Sequence, residues 1–379
     1  MEKIVYIVED KFTQRDYQRF GIELMRKNGF KVEIWDLNSL IYSHLDRAAV
    51  REKPVFAGLK TVYQPVQLSE MLSGLSKNDF VMNFVSYYFL TLKIYQELGK
   101  SAAHYAVFYA NAIPIAAEHQ IRNIFRLRKP SAVIKYLLMR LPLWCLKVRP
   151  ASLILAGGNK CLKYHYPVDK FTEILWIHTL DYDIYLEEKD RAVADSNNMA
   201  VFIDEDMTFH PEYAMLKLKV PIEAERYFTL LNRFFELVER ETGYEIVIAE
   251  CPRANYKQDH FKGRKRIKGQ TASLIHQSKL VLSHYSTAVN FANLFCKPVI
   301  FLTCSDFKNK FEWYQIKEAA GWFGKKPISM DAPKNIDWQF ELRADTAQYD
   351  NYRRAYIKTE NSPQLPFWQV FADRLKKGF

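Results

Sequence analysis

The sequence predicts an α/β chain built as two parallel-sheet domains, and three observations predict it. Its 379 residues exceed the usual size of one compact core, and chains of this length divide into units of roughly 150 to 200 residues. Short β-branched apolar runs recur without polar alternation, the pattern of strands buried on both faces of a parallel sheet. Stretches of helical periodicity fill the intervals between those runs, as βαβ connections require. The expected architecture is two Rossmann-like domains facing a cleft.

Taken in order, Ile4 to Val8 reads as a buried strand, Thr13 to Asn28 as a helix closed by Gly29, and Lys31 to Trp35 as a second strand ending at Asp36. The turn after the first strand, Glu9-Asp10-Lys11-Phe12-Thr13, lacks the GxGxxG pattern that lets a backbone approach a pyrophosphate, which disfavours an NAD domain. Further strands are expected at Asp79 to Phe84, Tyr105 to Tyr109, Ser152 to Ala156 and Ile174 to His178, with Asn111 and Gly157-Gly158-Asn159 in polar turns after two of them. The charged run Glu187 to Asn198 marks a boundary between a domain spanning 1–190 and a second spanning 196–340. The second domain is read as a strand at Ala200 to Ile203, a long helix at Glu223 to Gly243, and a strand at Ile246 to Ala249. A short helix carrying Leu274 and Ser278 then leads to a strand at Leu280 to Ser283. The next helix opens at Ser286-Thr287, runs through Ala288, Phe291, Ala292 and Phe295, and stops before Pro298, where a strand to Leu302 begins. In the tail, 341–379, Phe367, Trp368, Val370, Phe371 and Leu375 recur at helical spacing.

Composition narrows the function classes. With 26 Phe, 23 Tyr and 7 Trp against 13 Gly, neither a disordered nor a fibrous chain fits. A net charge of +11 points to an acidic partner: phosphate groups, anionic lipid or nucleic acid. Much of that charge lies in Arg122 to Arg149, where Arg and Lys alternate with Leu, Ile, Met and Trp, and no run reaches the ~20 apolar residues that span a bilayer. Residues 132–149 fit a cationic surface helix, with Trp144 at a membrane interface and Lys135, Arg140 and Lys147 toward headgroups. They fit equally a core-facing helix with a solvated basic side, and Leu141-Pro142 would break either. Nucleic acid is not the expected partner, because the basic residues are tied to an apolar helix rather than to a stacking platform. Five cysteines, odd in number and without a CxxC pair, read as reduced thiols. The opening MEKIVYIVED carries no signal pattern, so a cytoplasmic location, peripheral on the inner face of the membrane, is expected.

The motifs cluster in the second domain. Cys251-Pro252-Arg253 follows a strand directly; Gly263-Arg264 and Gly269-Gln270-Thr271 come next; then a strand is followed by His284-Tyr285-Ser286-Thr287-Ala288, a helix and Lys297-Pro298. A Ser/Thr-capped helix start offers N–H groups, hydroxyls and a positive dipole to an anion, although most such caps only satisfy backbone donors. Loops at the carboxyl ends of parallel strands form the ligand crevice, so Arg253 and Ser286 are expected to converge.

This order of motifs resembles the carboxyl-terminal half of bacterial surface-polysaccharide glycosyltransferases of the GT-B type, those of capsule and lipopolysaccharide synthesis, with the His-Pro and Ser-Ser/Thr motifs of bacterial sialyltransferases. The resemblance covers roughly the last half of the chain. It implies transfer of a sugar from a nucleotide-sugar donor to a surface polysaccharide or lipid-linked glycan, with no metal or cofactor beyond the nucleotide sugar as co-substrate. It further implies an acceptor-side first domain, a donor-binding second domain, and a terminal helix crossing back to the first. Pro252 and Arg253 match the first motif, and Ser286 and Thr287 the second. Arg264, Thr271 and His284 complete the expected phosphate-binding set. Cys251 stands where such enzymes carry His, a departure for which His284 or Arg253 would compensate. Asp204 and Glu205 are read either as donor-sugar ligands or as a solvated acidic loop, with a second His-Pro pair, His210-Pro211, in the same loop. A base that deprotonates the acceptor hydroxyl is expected at the end of the first strand, from Asp10, Glu9 or Asp16. Asp181-Tyr182-Asp183 has the form of a metal-nucleotide motif of another transferase fold, but two carboxylates alone do not fill a Mg²⁺ coordination sphere. The competing readings are a nucleotide-sugar epimerase of the same fold and a basic nucleic-acid-binding protein.

Overall fold

The computed structural model describes residues 1–42, 56, 58–114, 130–163, 166–193, 198–210, 213 and 219–379. The chain forms two compact units, one of 1–112, 124–180 and 358–379, the other of 113–123 and 181–357.

The first unit is organised by a parallel sheet of seven strands: β1 (Lys3–Val8), β2 (Lys31–Asp36), β3 (Leu59–Thr61), β4 (Asp79–Asn83), β5 (His104–Tyr109), β6 (Leu153–Ala156) and β7 (Glu173–Trp176). Their spatial order is β3-β2-β1-β4-β5-β6-β7. Side chains alternate across a strand, so β1 serves two cores at once: Ile4, Tyr6 and Val8 join one apolar cluster, and Val5 and Ile7 the cluster on the opposite face. That double burial is why the run carries no polar residue.

The stretch 13–28 forms two helices, Gln14–Arg19 and Ile22–Lys27, rather than the single expected one. They part at Gly21, which takes the left-handed φ of 57°. The cause lies far along the chain. A Cβ on Gly21 would come within 2.3 Å of the Trp368 ring, and Trp368 Nε1 donates 2.7 Å to the carbonyl of Arg19. The break is thus the seat of the terminal helix Phe367–Lys376, which buries Phe367, Trp368, Phe371 and Leu375 in the first unit beside Tyr6 and Phe80. Ser362 Oγ, donating to the carbonyl of Ile177, fixes the approach to that helix. Trp368→Ala should cost about 3–5 kcal/mol, the usual penalty for deleting a buried ring. Urea unfolding reads it directly, and an unchanged midpoint would show that the terminal helix is not part of this core.

The second unit holds a six-stranded parallel sheet: β8 (Met199–Ile203), β9 (Glu245–Glu250), β10 (Arg266–Lys268), β11 (Leu280–Ser283), β12 (Val299–Thr303) and β13 (Ile328–Ser329), in the order β10-β9-β8-β11-β12-β13. Its single core gathers Phe202, Phe234, Phe235, Ile248, Leu282 and Phe301. The long helix Ala224–Thr242 ends at Gly243, whose φ of 69° closes it. The short strands β3, β10 and β13 lie at or beside sheet margins and carry no apolar run.

In both sheets the strand order reverses beside the first strand, between β1 and β4 and between β8 and β11. At such a reversal the connections leave in opposite directions and open a crevice outside the carboxyl ends of the strands.

Candidate functional site

The reversal in the second sheet is bridged by two adjacent carboxylates. β8 ends at Ile203, and the next two residues turn to opposite neighbours. Asp204 reaches toward β9: its Oδ2 accepts from the Cys251 N–H at 3.0 Å, and the Tyr256 hydroxyl donates to both of its oxygens at 3.0 Å. Glu205 reaches toward β11: its Oε1 accepts from Ser283 Oγ at 3.2 Å, the His284 N–H at 2.9 Å and the Tyr285 N–H at 3.0 Å. One dipeptide therefore ties together the loop that begins Cys251-Pro252-Arg253 and the loop that begins His284-Tyr285-Ser286. Neither acid belongs to a solvated loop. Burial pushes the Glu205 carboxyl up to about 7 against the pull of those N–H donors. Burial, reinforced by the nearby Asp204 charge, pushes Asp206 up to about 6. Asp204 is also raised, by burial first, although the Cys251 and Asp206 N–H groups and Tyr256 oppose the shift.

His284 is fully buried, and both ring nitrogens are engaged. Nδ1 lies 2.7 Å from the Leu302 carbonyl, which can only accept, so Nδ1 carries the proton and Nε2 accepts from the Tyr227 hydroxyl at 3.0 Å. Burial drives its pKa down to about 4, consistent with that neutral tautomer. Its imidazole thus anchors the loop from below, and what it presents upward is backbone. Arg264 is likewise committed: its guanidinium grips both oxygens of Glu239 at 2.7 and 2.8 Å and donates to Asn232 Oδ1 at 3.0 Å.

The remaining donor candidates sit at the carboxyl ends of their strands. Pro252 and Arg253 are exposed just after β9, and Thr271 begins the helix Thr271–Gln277. After β11 the chain makes tight turns before a helix forms. Val289, Asn290 and Phe291 donate to the carbonyls of Ser286, Thr287 and Ala288, and Ser286 Oγ accepts from the Ala288 N–H at 3.2 Å. The helix proper is Val289–Leu294, three residues later than expected, with Ala288 rather than a hydroxyl residue at its cap. Ser286 is half-buried and Thr287 exposed.

The first sheet repeats the arrangement. Glu9, directly after β1, accepts from the Ser86 N–H, just beyond β4, at 2.8 Å, and from the hydroxyls of Tyr42 and Tyr88 at 2.6 and 2.8 Å. Burial first, then the Glu9 carboxylate, raises the Tyr42 phenol; burial pushes Tyr88 up to about 12. Asp16 closes a capping box with Thr13, which draws its carboxylate into the start of Gln14–Arg19. Asp10 is exposed at the strand end. Asp181 accepts from Asn290 Nδ2 at 3.0 Å and is buried. Pro211 of the second His-Pro pair, and 122–129 of the basic block, lie outside the described residues. The sequence reading missed Tyr42, Tyr88, Tyr227 and Tyr256, four tyrosines that hold these acids and His284; each sits dozens of residues from its partner, so no local pattern marks it.

No protein-family model matches the chain, and no curated protein matches it in sequence. Solved structures do match. The glycotransferase of kitacinnamycin aligns over 99% of this chain and 98% of its own, with a TM-score of 0.51 at 10% identity. The fold is GT-B. A protein assigned as a UDP-N-acetylglucosamine 2-epimerase from Listeria monocytogenes aligns over 99% of this chain and 94% of its own, with a TM-score of 0.50 at 13% identity. At such identities the likeness concerns the fold, and the GT-B sheets account for both switch-point arrangements described above.

Proposed function

We propose that this GT-B chain is a glycosyltransferase that moves a sugar from a nucleotide-sugar donor onto a growing bacterial surface polysaccharide or lipid-linked glycan. The observation that carries the proposal is the Asp204-Glu205 bridge, which fixes the Arg253 and Ser286 loops to one strand end. In this reading Arg253 and Pro252 take one side of the donor phosphate, and Ser286, Thr287 and Thr271 the other. His284 anchors the loop after β11, while Arg264 ties its own turn to the long helix Ala224–Thr242 through Glu239 and Asn232. A cationic, hydrogen-bonding cradle stabilises charge that develops on the leaving phosphate, so transfer proceeds without a metal ion. The second unit, which contains the expected donor domain 196–340, binds the donor, and the first unit presents the acceptor. There Asp10, exposed at the switch point, is the proposed base, while Glu9 and Asp16 shape its loop.

The likeness to an epimerase-assigned structure supports a second reading, in which the same donor site isomerises the sugar. A thermal-stabilisation panel of CMP, UDP and GDP, followed by product analysis with the matching sugar nucleotide, separates the two. Native-state binding raises apparent stability in proportion to affinity. Transfer predicts a rise with one nucleotide and an extended glycan; an isomerised sugar nucleotide without extension selects epimerisation; no rise with any nucleotide refutes both.

A further inference from the structure

The segment after the fifth strand of the first unit resolves the two sequence readings of residues 132–149. A core-facing helix would bury its apolar side chains. Instead the helix Pro130–Leu138 and the turns after it divide them: Met139, Leu146 and Val148 enter the core, while Ile134, Leu137, Leu141 and Trp144 stand out at 57%, 59%, 42% and 79% exposure. The exposed Phe89 and Leu90, from a separate turn of the same unit, extend that surface, and Lys135 Nζ lies 5.0 Å over the Phe89 ring. An apolar patch of this kind, with a tryptophan almost wholly in solvent, marks a docking surface.

Charge identifies what docks. Over the described stretch 130–163 the chain carries six Lys and Arg (Lys135, Arg140, Lys147, Arg149, Lys160, Lys163) and no Asp or Glu. Arg140 stacks on the Tyr136 ring at 5.0 Å, which leaves its cationic head beside the exposed leucines. We infer that the surface formed by 134–144 with Phe89 and Leu90 seats the first unit on an anionic lipid bilayer. Trp144, Leu141 and Leu137 enter the headgroup boundary, and Lys135 and Arg140 pair with lipid phosphates. Apolar insertion and cationic pairing are both required, so neither a neutral bilayer nor a soluble polyanion satisfies the surface alone. The inference is independent of the donor reading and supplies the place where a lipid-linked acceptor would be met.

The test is co-sedimentation of the full chain with vesicles of phosphatidylcholine alone or mixed with phosphatidylglycerol. The mixed vesicles should bind at least about tenfold more tightly, with the difference screened by salt. Leu141→Ser with Trp144→Ser, and separately Lys135→Glu with Arg140→Glu, should each lower partitioning by more than about tenfold. Both double variants alter exposed side chains and should keep the wild-type Tm and any nucleotide-induced rise in it, which separates this result from failure of the donor site. Equal binding to both vesicle types, or variants that bind as wild type, would overturn the inference. So would a dimer by light scattering that the Trp144 variant dissociates, since the patch would then belong to a second copy of the chain.

Discussion

Arg253→Ala is expected to remove most of the stabilisation that the cognate nucleotide confers. A hydrogen bond from a guanidinium to phosphate contributes about 1.5–3 kcal/mol, so affinity should fall roughly 10- to 100-fold. At a ligand concentration that gives the wild-type chain a clear rise in Tm, the variant should show little or none. Arg253 is exposed beyond β9, so the variant's own Tm should stay close to wild type. Ser286→Ala should weaken binding in the same direction, with a small loss of intrinsic stability because Ser286 Oγ also accepts from Ala288. Arg264→Ala is the contrasting control. It breaks a two-pronged, part-buried contact with Glu239, which should cost about 1–3 kcal/mol of stability while leaving the nucleotide-induced rise intact. A rise that survives in Arg253→Ala and Ser286→Ala would remove the donor site from these loops.

Glu205 should make stability fall as pH increases. Its carboxyl is raised from an ordinary 4.5 to about 7, so between those values the native state holds a proton that the unfolded chain has released. The contribution of this group is therefore fully present below about pH 4.5 and is lost as pH rises through 7, by on the order of 3 kcal/mol. Asp206, raised to about 6, adds to the same slope. Glu205→Gln keeps an oxygen for the His284 and Tyr285 N–H groups but cannot ionise, so denaturant titrations at several pH values should show a flatter profile. Glu205→Leu strands the donors now satisfied by Oε1 and should cost about 2–5 kcal/mol at every pH. If wild type and Glu205→Gln share one slope, the buried carboxyl is not the source of it.

Much of the sheet architecture was legible because strands buried on both faces must be apolar throughout. β1, β4, β8, β9, β11 and β12 all announce themselves this way, and β11 begins and ends where the sequence places it. The short edge strands β3, β10 and β13 were not legible, whereas the edge strand β7 was read at Ile174 to His178. Arg266–Lys268 pairs only with β9 and is largely solvated, so nothing selects an apolar run, and charge there discourages edge pairing. The split at Gly21 was hidden for another reason: its cause, Trp368, stands far down the chain. In the candidate site, the motif residues near strand ends could be picked out because Pro, Gly, Ser and Thr punctuate those turns. What each side chain does there could not. Glu205 meets Ser283 across 78 residues, and Tyr227 meets His284 across 57. A buried acid and a solvated one have the same letter, and only the fold distinguishes them.

Trp368 also bears on how the chain is made. Its indole closes a contact with Arg19 across 349 positions, so the first unit is assembled from segments that lie on both sides of the second in the sequence. Synthesis from the amino end therefore delivers every strand of that unit well before the element that covers Gly21 and Tyr6. Until the helix Phe367–Lys376 has emerged, that apolar surface has no cover, and the second unit, whose last segment ends at 357, is complete first. Long-range closure of this kind is slow and exposes sticky intermediates. A nascent chain stalled short of Phe367 should depend on chaperone binding that the released protein no longer needs.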